Sequence, residues 1–393
     1  MATVDPHRNV AADGSIAPRG EGFRLPARFE PHQRTLMSWP CRQDLFGPLM
    51  EDARREWAEV ARGIARFEPV TVVVDPSQER EAARVIEPEA AGEARPSIHL
   101  LPIELDDSWI RDNGPIFVRD DAGRVAAVKF GFDGWNEQFT PYDNDARVPA
   151  RIARAWDVRL YPAPFVLEGG AFNTDGEGTL LTTEQCLLHN RNLGLSRADN
   201  EALLREWLGI DKVIWLPFGL VEDSGPYSTA GHVDDVAQFV APGVVVAQTA
   251  PPENANHARL VENLAVLRAA TDAQGRELEI VEIDVLPYAK GVGAWLDSVT
   301  GPGAGKLMPA PYVNMVFVEG ALLLPRTGVE GEDECYARLG ELTRRRVVGL
   351  PTELSAFGGG GLGCITQQVP AGAFLPAASP APPGESEGAN GGS

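Results

Sequence analysis

The chain has 393 residues, 44% of them hydrophobic and 23% charged, so it can bury a substantial core as one large domain or two ordinary ones. A formal net charge of −21 at pH 7 argues against nucleic acid or an anionic membrane surface as a partner and mildly favours a cationic ligand. Four scattered cysteines, Cys41, Cys186, Cys335 and Cys364, contain no CxxC pair, which excludes a disulfide framework or a zinc-finger spacing and fits a reducing compartment.

Residues 1–21 are polar and aperiodic and read as a mobile tail. They lack a basic region leading into an apolar run, and no stretch reaches membrane-spanning length, so a cytoplasmic location is expected. A single folded domain is expected over 22–373. Residues 35–40 read as a short strand stopped by Pro40. Met50, Trp57, Val60, Ile64 and Phe67 recur at helical spacing and predict a helix over 48–67. The β-branched run 70–74 predicts a strand buried on both faces, and 79–86 a shorter helix. The segment 106–115 then gathers Asp106, Asp107, Trp109, Arg111 and Asp112 ahead of a strand at 116–118. Asp106 and Asp107 are either solvated turn residues or ligand contacts. Asp112, wedged between Arg111 and the Gly114-Pro115 turn, is expected to be held in place.

Strands are predicted at 125–130 and 158–161, with a helix at 148–156 between them. Glu168 follows the apolar stretch 165–167 and meets Gly169 and Gly170. A carboxylate there is costly to bury without a partner, so next to two glycines that open the backbone it points to a site. A strand at 179–183 and a helix at 197–208 come next. His232 and Asp234 precede a strand at 236–240, and in extended chain they share one face. Strand, helix and strand recur over 244–248, 253–271 and 278–284, and 312–318 with 321–324 forms a hairpin about Glu319-Gly320. The last predicted helix is 335–345, and 374–393 reads as a disordered Pro-, Ala-, Gly- and Ser-rich tail.

Between these lies 357–370, where four glycines, Gly360 and Gly361 among them, lead to Cys364. Glycines let the main chain approach a ligand closely, which suits a nucleophilic thiol; a flexible linker before a buried cysteine is the structural alternative. Asp112, Glu168, His232 and Cys364 recur at intervals of roughly 60 residues, the last interval being doubled, which suggests repeated α/β modules around one centre.

Taken together, DDSWIRDNGPIFV at 106–118, LEGG at 167–170, DGEGTLLTTEQCLL at 175–188, GHVD at 231–234 and GGGGLGCITQQVP at 358–370 resemble the agmatine deiminase and bacterial peptidyl-arginine deiminase family. The resemblance implies a pentein, an α/β propeller of five ββαβ-type modules about a central site. It also implies Cys364 as nucleophile, His232 as general acid and base, Asp112 and Asp234 gripping a guanidinium, and Glu168 beside His232. Asp106, Asp107, Trp109, Arg111, Gly169, Gly170, Gly360 and Gly361 are expected to line the substrate. The implied partner is a small cationic guanidino compound; no metal or organic cofactor is required, and a homo-oligomer is open.

The chemistry is consistent with these roles, since a guanidinium is planar and permanently charged, paired carboxylates match its N–H edges, and the thiolate is the attacking form. Agmatine deimination is the leading expectation, with peptidyl-arginine deimination, amidino transfer and non-catalytic guanidine binding as alternatives. Two departures bear on the substrate's far end: Gly363 stands where the family commonly has histidine, and Ser228-Thr229-Ala230 where it commonly has an acidic run.

Overall fold

Val70–Val74 is buried at every position, as its unbroken β-branched run requires, and it lies inside a sheet between His32–Ser38 and Ile98–Pro102, parallel to both. The structure is a computed structural model that describes residues 17–87, 97–225, 228–286, 292–300 and 312–377. The remaining parts of both expected tails, 1–16 and 378–393, lie outside the described residues.

Five small sheets repeat one plan. In each, two antiparallel strands are followed by a helix and then by a strand parallel to the second. Ile116–Arg119 pairs with Arg124–Gly131, and Val148–Ala155 leads to Leu160–Val166. Phe172–Thr174 pairs with Thr179–Thr183, and Arg197–Leu208 leads to Lys212–Leu216. Ala237–Ala241 pairs with Val244–Thr249, and His257–Ala269 leads to Glu279–Asp284. Val316–Val318 pairs with Ala321–Pro325, and Glu332–Thr343 leads to Arg346–Leu350. The fifth unit is assembled from both ends of the chain: Thr366–Pro370 lies antiparallel to His32–Ser38, and Met50–Ile64 leads to Val70–Val74. This last pairing closes the ring.

The helices bury one face each against these sheets. Met50–Ile64 turns Met50, Ala53, Trp57, Val60, Ala61 and Ile64 inward, the stripe its sequence spacing predicts. Burial of each large apolar side chain contributes about 1.5–3 kcal/mol. The helix expected over 48–67 is therefore shorter at both ends, because Pro48 falls in a 3-10 turn and residues 65–67 turn toward the next strand. The chain is also ordered from before residue 22. Ala17 is buried, Pro18–Glu21 forms a 3-10 turn, and Glu21 pairs with Arg159 at 2.7 Å and accepts a hydrogen bond from the Tyr161 hydroxyl.

Candidate active site

The five units each place a polar residue in the turn just ahead of their first strand. Asp112 precedes Ile116–Arg119, Glu168 precedes Phe172–Thr174, and His232 with Asp234 precedes Ala237–Ala241. Asn314 precedes Val316–Val318, and Cys364 precedes Thr366–Pro370. All six are at most 6% exposed. Polar groups so deeply buried must find partners, and what they find defines the site.

His232 is flanked by two carboxylates. Its Nδ1 lies 3.8 Å from Asp112 Oδ2 and its Nε2 3.9 Å from Glu168 Oε2, and neither ring nitrogen has a hydrogen-bond partner among the described residues. Burial works to lower the imidazole pKa, but Asp112, Cys186 and Glu168 outweigh it and hold His232 well above its ordinary range. Glu168 is itself fixed by Arg191, whose Nε donates to Oε1 at 2.5 Å. Burial opposes its ionisation, yet Arg191 and His232 bring its carboxyl down to about 2. Its second oxygen, Oε2, is buried without a partner.

Asp112 accepts the Gly170 N–H at Oδ1, 2.9 Å, and the Trp135 indole N–H at Oδ2, 3.0 Å. Each carboxylate oxygen keeps a lone pair for one further donor. Asp234 uses Oδ2 to accept both terminal nitrogens of Arg28 at 3.2 Å and leaves Oδ1 unpartnered. The neighbouring Asp235 Oδ1 is also unpartnered, and carboxylate oxygens of Asp234 and Asp235 lie with Cys364 Sγ within 4.8 Å of one another. Burial, followed by repulsion from Asp234, Asp235 and Asp112, pushes the Cys364 thiol well above its usual range. A cation placed among these carboxylates removes that repulsion and favours the thiolate.

Two glycine sites make this closeness feasible. A Cβ at Gly170 would fall inside the contact distance of His232 Nδ1 and 3.0 Å from Asp112 Oδ1. A Cβ at Gly360 would meet the Trp109 ring at 2.6 Å and Cys364 Sγ at 3.1 Å.

The other residues expected against the substrate also have protein partners. Arg111 grips the Cys364 loop: Nε donates to the Gly363 carbonyl at 2.9 Å, and its two terminal nitrogens donate to Gln367 and Gln368 at 2.5 and 2.7 Å. Asp107 accepts from Arg42 Nε at 2.6 Å and from the Ser108 N–H at 2.8 Å, while Asp106 accepts from the backbone and side chain of Asn144. Trp109 packs edge-on against Trp57, and Gly169 gives its carbonyl to Arg28 at 2.9 Å. Gly361 accepts the Cys364 N–H at 3.1 Å. His232 and Asp234 do not share a strand face, because Val233–Asp235 is a 3-10 turn that replaces the extended geometry inferred from their spacing. The Ser228-Thr229-Ala230 segment is an anchor: the Thr229 carbonyl accepts from Arg191 at 3.0 Å, and the Asp223 carboxylate takes the N–H groups of Thr229, Gly231 and His232.

Sequence reasoning did not single out Arg28, Trp135, Arg191 or Asn314. Asn314 Oδ1 accepts the Gly363 N–H at 2.6 Å and lies 3.8 Å from Cys364 Sγ, and its Nδ2 donates to the Asp234 carbonyl at 3.2 Å. The doubled interval between His232 and Cys364 marks the missing fifth place, and Asn314 fills it. Arg28 and Arg191 carry no comparable signal.

Five ββαβ units about a buried cysteine, histidine and carboxylates are the defining arrangement of a pentein of the guanidine-modifying kind. The chain belongs to the Porphyromonas-type peptidyl-arginine deiminase family, whose model matches residues 24–370. It is 38% identical to the agmatine deiminase of Pseudomonas aeruginosa over 368 residues, 90% of this chain and 97% of that one. It is likewise 38% identical to the agmatine deiminase of Stutzerimonas stutzeri, with the same coverage. The solved agmatine deiminase of Enterococcus faecalis superposes with a TM-score of 0.79 at 31% identity, covering 90% of this chain and 98% of that one.

Proposed function

We propose that the protein is a guanidine deiminase that converts agmatine to N-carbamoylputrescine and ammonia through a covalent intermediate on Cys364. The observation that carries this reading is the convergence of Cys364, His232, Asp112, Asp234 and Glu168 on one buried centre in which both His232 nitrogens, Asp234 Oδ1 and Glu168 Oε2 keep free hydrogen-bonding capacity. A guanidinium supplies the N–H donors those carboxylates take and the charge they call for. Its arrival lowers the Cys364 thiol, and the thiolate attacks the guanidinium carbon to give a tetrahedral adduct. His232, held protonated between Asp112 and Glu168, gives its proton to the departing ammonia. The neutral imidazole then takes a proton from water, which attacks the amidino-thioether, expels the thiolate and leaves the urea.

Arginine within a peptide is the second reading, and one observation favours it. Asp106, Asp107 and Glu222, three carboxylates that could meet an amine tail, are already hydrogen-bonded to Asn144, to Arg42 and Ser108, and to Asn256. A buried ammonium tail without a carboxylate would be costly. Ammonia release from agmatine is therefore compared with release from an N-acylated arginine amide. A preference of about a hundredfold in kcat/KM for agmatine, near 2.7 kcal/mol, supports an amine site. The opposite preference assigns peptidyl arginine, and no release from any guanidine defeats both.

We further propose that the enzyme works in the cytoplasm, without nucleic acid or membrane partners, as one pentein domain able to form a homo-oligomer. All four cysteines are unpaired and the net charge is −21, which supports this setting. Among the described residues no helix is long and apolar enough to cross a membrane.

A further inference from the structure

Cys186 has no part in the proposed reaction, yet it is fully buried against the site. Its Sγ, one His232 ring nitrogen and one Glu168 carboxylate oxygen all lie within 4.8 Å of one another. Glu168 Oε2 and both His232 nitrogens are at the same time buried without a protein partner. Thiolate, imidazole and carboxylate together are a ligand set for a borderline-soft divalent cation. In a tetrahedral zinc site, sulfur and nitrogen ligands stand about 3.5 Å apart, given Zn–S near 2.3 Å and Zn–N near 2.0 Å. Closing a spacing of up to 4.8 Å to that value requires each pair to approach by up to about 1.3 Å, so the ligands must move together on binding.

The three ligands are also fixed from behind. Thr183 Oγ1 accepts the Cys186 N–H at 3.0 Å, Arg191 holds Glu168 by the other oxygen, and Asp223 takes the His232 N–H at 3.0 Å. These contacts fix the backbone of Cys186 and of His232 and one oxygen of Glu168, and so hold the three ligand positions in place.

We propose that Glu168, Cys186 and His232 form a reversible inhibitory site for a divalent cation of the zinc type. Binding replaces the Cys186 thiol proton, which leaves to solvent, with a sulfur–metal bond, and it occupies the imidazole nitrogen that the proposed reaction uses for proton transfer. The Arg191 charge beside Glu168 opposes the cation, so the site is weaker than a structural zinc centre and empties on chelation. The inhibition rests on the acid–base reading of His232; the metal binding does not.

The test uses the full chain. In Cys364→Ser, which removes the competing thiol, Co2+ is added and the thiolate-to-cobalt charge-transfer band is followed in the near ultraviolet. The band is expected in this variant and absent from Cys364→Ser/Cys186→Ala; Cys186→Ser replaces alanine if the latter unfolds. In the otherwise unaltered protein, Zn2+ should inhibit ammonia release reversibly by EDTA, and Cys186→Ala should raise the half-inhibiting Zn2+ concentration by about tenfold or more. Absence of the band from Cys364→Ser, its persistence without Cys186, or equal zinc sensitivity of Cys186→Ala each overturns the proposal. A Cys186-dependent band in a protein that deiminates no guanidine upholds the metal site and refutes the proposed function instead.

Discussion

Substituting Gly170 by alanine tests how tightly the site is built. The φ of Gly170 lies outside the left-handed range, so alanine there carries no backbone strain, and its whole effect comes from one methyl group. That methyl would lie 3.0 Å from both Asp112 Oδ1 and His232 Cε1 and closer still to Nδ1. Ordinary contact requires about 3.5–4.0 Å, so His232 must retreat by about 1 Å or the 169–171 backbone must shift. Neither move is easy, because the His232 N–H is held by Asp223 and the Gly170 N–H by Asp112. Overpacking of this kind costs about 1–3 kcal/mol of stability. A 1 Å misplacement of a reacting group costs about a hundredfold in rate. Gly170→Ala should therefore lower kcat for ammonia release by about two orders of magnitude while melting only a few degrees below the parent. Thermal melts and steady-state kinetics on the same preparation decide it. Turnover within about threefold of the parent, roughly 0.7 kcal/mol, would show that the His232 and Asp112 positions are loose and the argument from close packing wrong.

Trp135→Phe keeps an aromatic ring in the cluster with Phe132 and Phe139 but removes the N–H given to Asp112, so kcat/KM should fall by about tenfold or more, as loss of a hydrogen bond worth about 1.5–3 kcal/mol implies. Unchanged kinetics would mean that this bond does not orient the carboxylate. Glu137 is exposed with φ of 60°, a left-handed conformation that costs a side-chain-bearing residue about 1–2 kcal/mol, against about 0.5–1 kcal/mol of extra chain entropy for glycine. Glu137→Gly should accordingly raise the melting temperature slightly, and a fall would refute the strain. Asp145 is pushed from its ordinary 3.8 to about 8, by burial first and Asp107 second, while its Oδ1 accepts the N–H groups of Asp106 and Asp107. Because the folded state holds a proton that the unfolded chain releases, its contribution is full below about pH 4 and is lost as pH rises through 8. Asp145→Asn keeps the accepting oxygen and should flatten stability between pH 5 and 8 in denaturant titrations; an unaltered slope would contradict the shifted ionisation.

Much of the fold is legible because its signals are local. The strands at 70–74 and 179–183 and the helices at 79–86 and 197–208 fall where their runs place them, since β-branched continuity and helical spacing are read from neighbouring residues. Lys212–Leu216 and Arg346–Leu350 escape notice because each begins with a charged residue and lacks an unbroken β-branched run, so only the parallel pairing with Thr179–Thr183 or Ala321–Pro325 reveals it. The glycine-flanked acids and Cys364 stand out by composition, whereas Arg28 and Arg191 do not. An arginine that meets a buried carboxylate, Arg28 in another unit and Arg191 in its own, resembles any surface arginine until the chain is folded. For Asp106 and Asp107 the sequence leaves a turn and a ligand contact equally open, and only Arg42 and Asn144, distant in sequence, reveal the partners these carboxylates take.

The closure of the ring by Thr366–Pro370 against His32–Ser38 has a temporal consequence. Cys364 sits immediately ahead of that strand, so its thiol is brought to the buried carboxylates only when segments more than 300 residues apart have met. Contacts of such range form late, since the chain between them must first be ordered. A chain still lacking Thr366–Pro370 therefore already contains the buried carboxylates and His232 but has no strand to hold Cys364 beside them. The proposed thiol chemistry therefore depends on the strand pairing of longest sequence range in the ring.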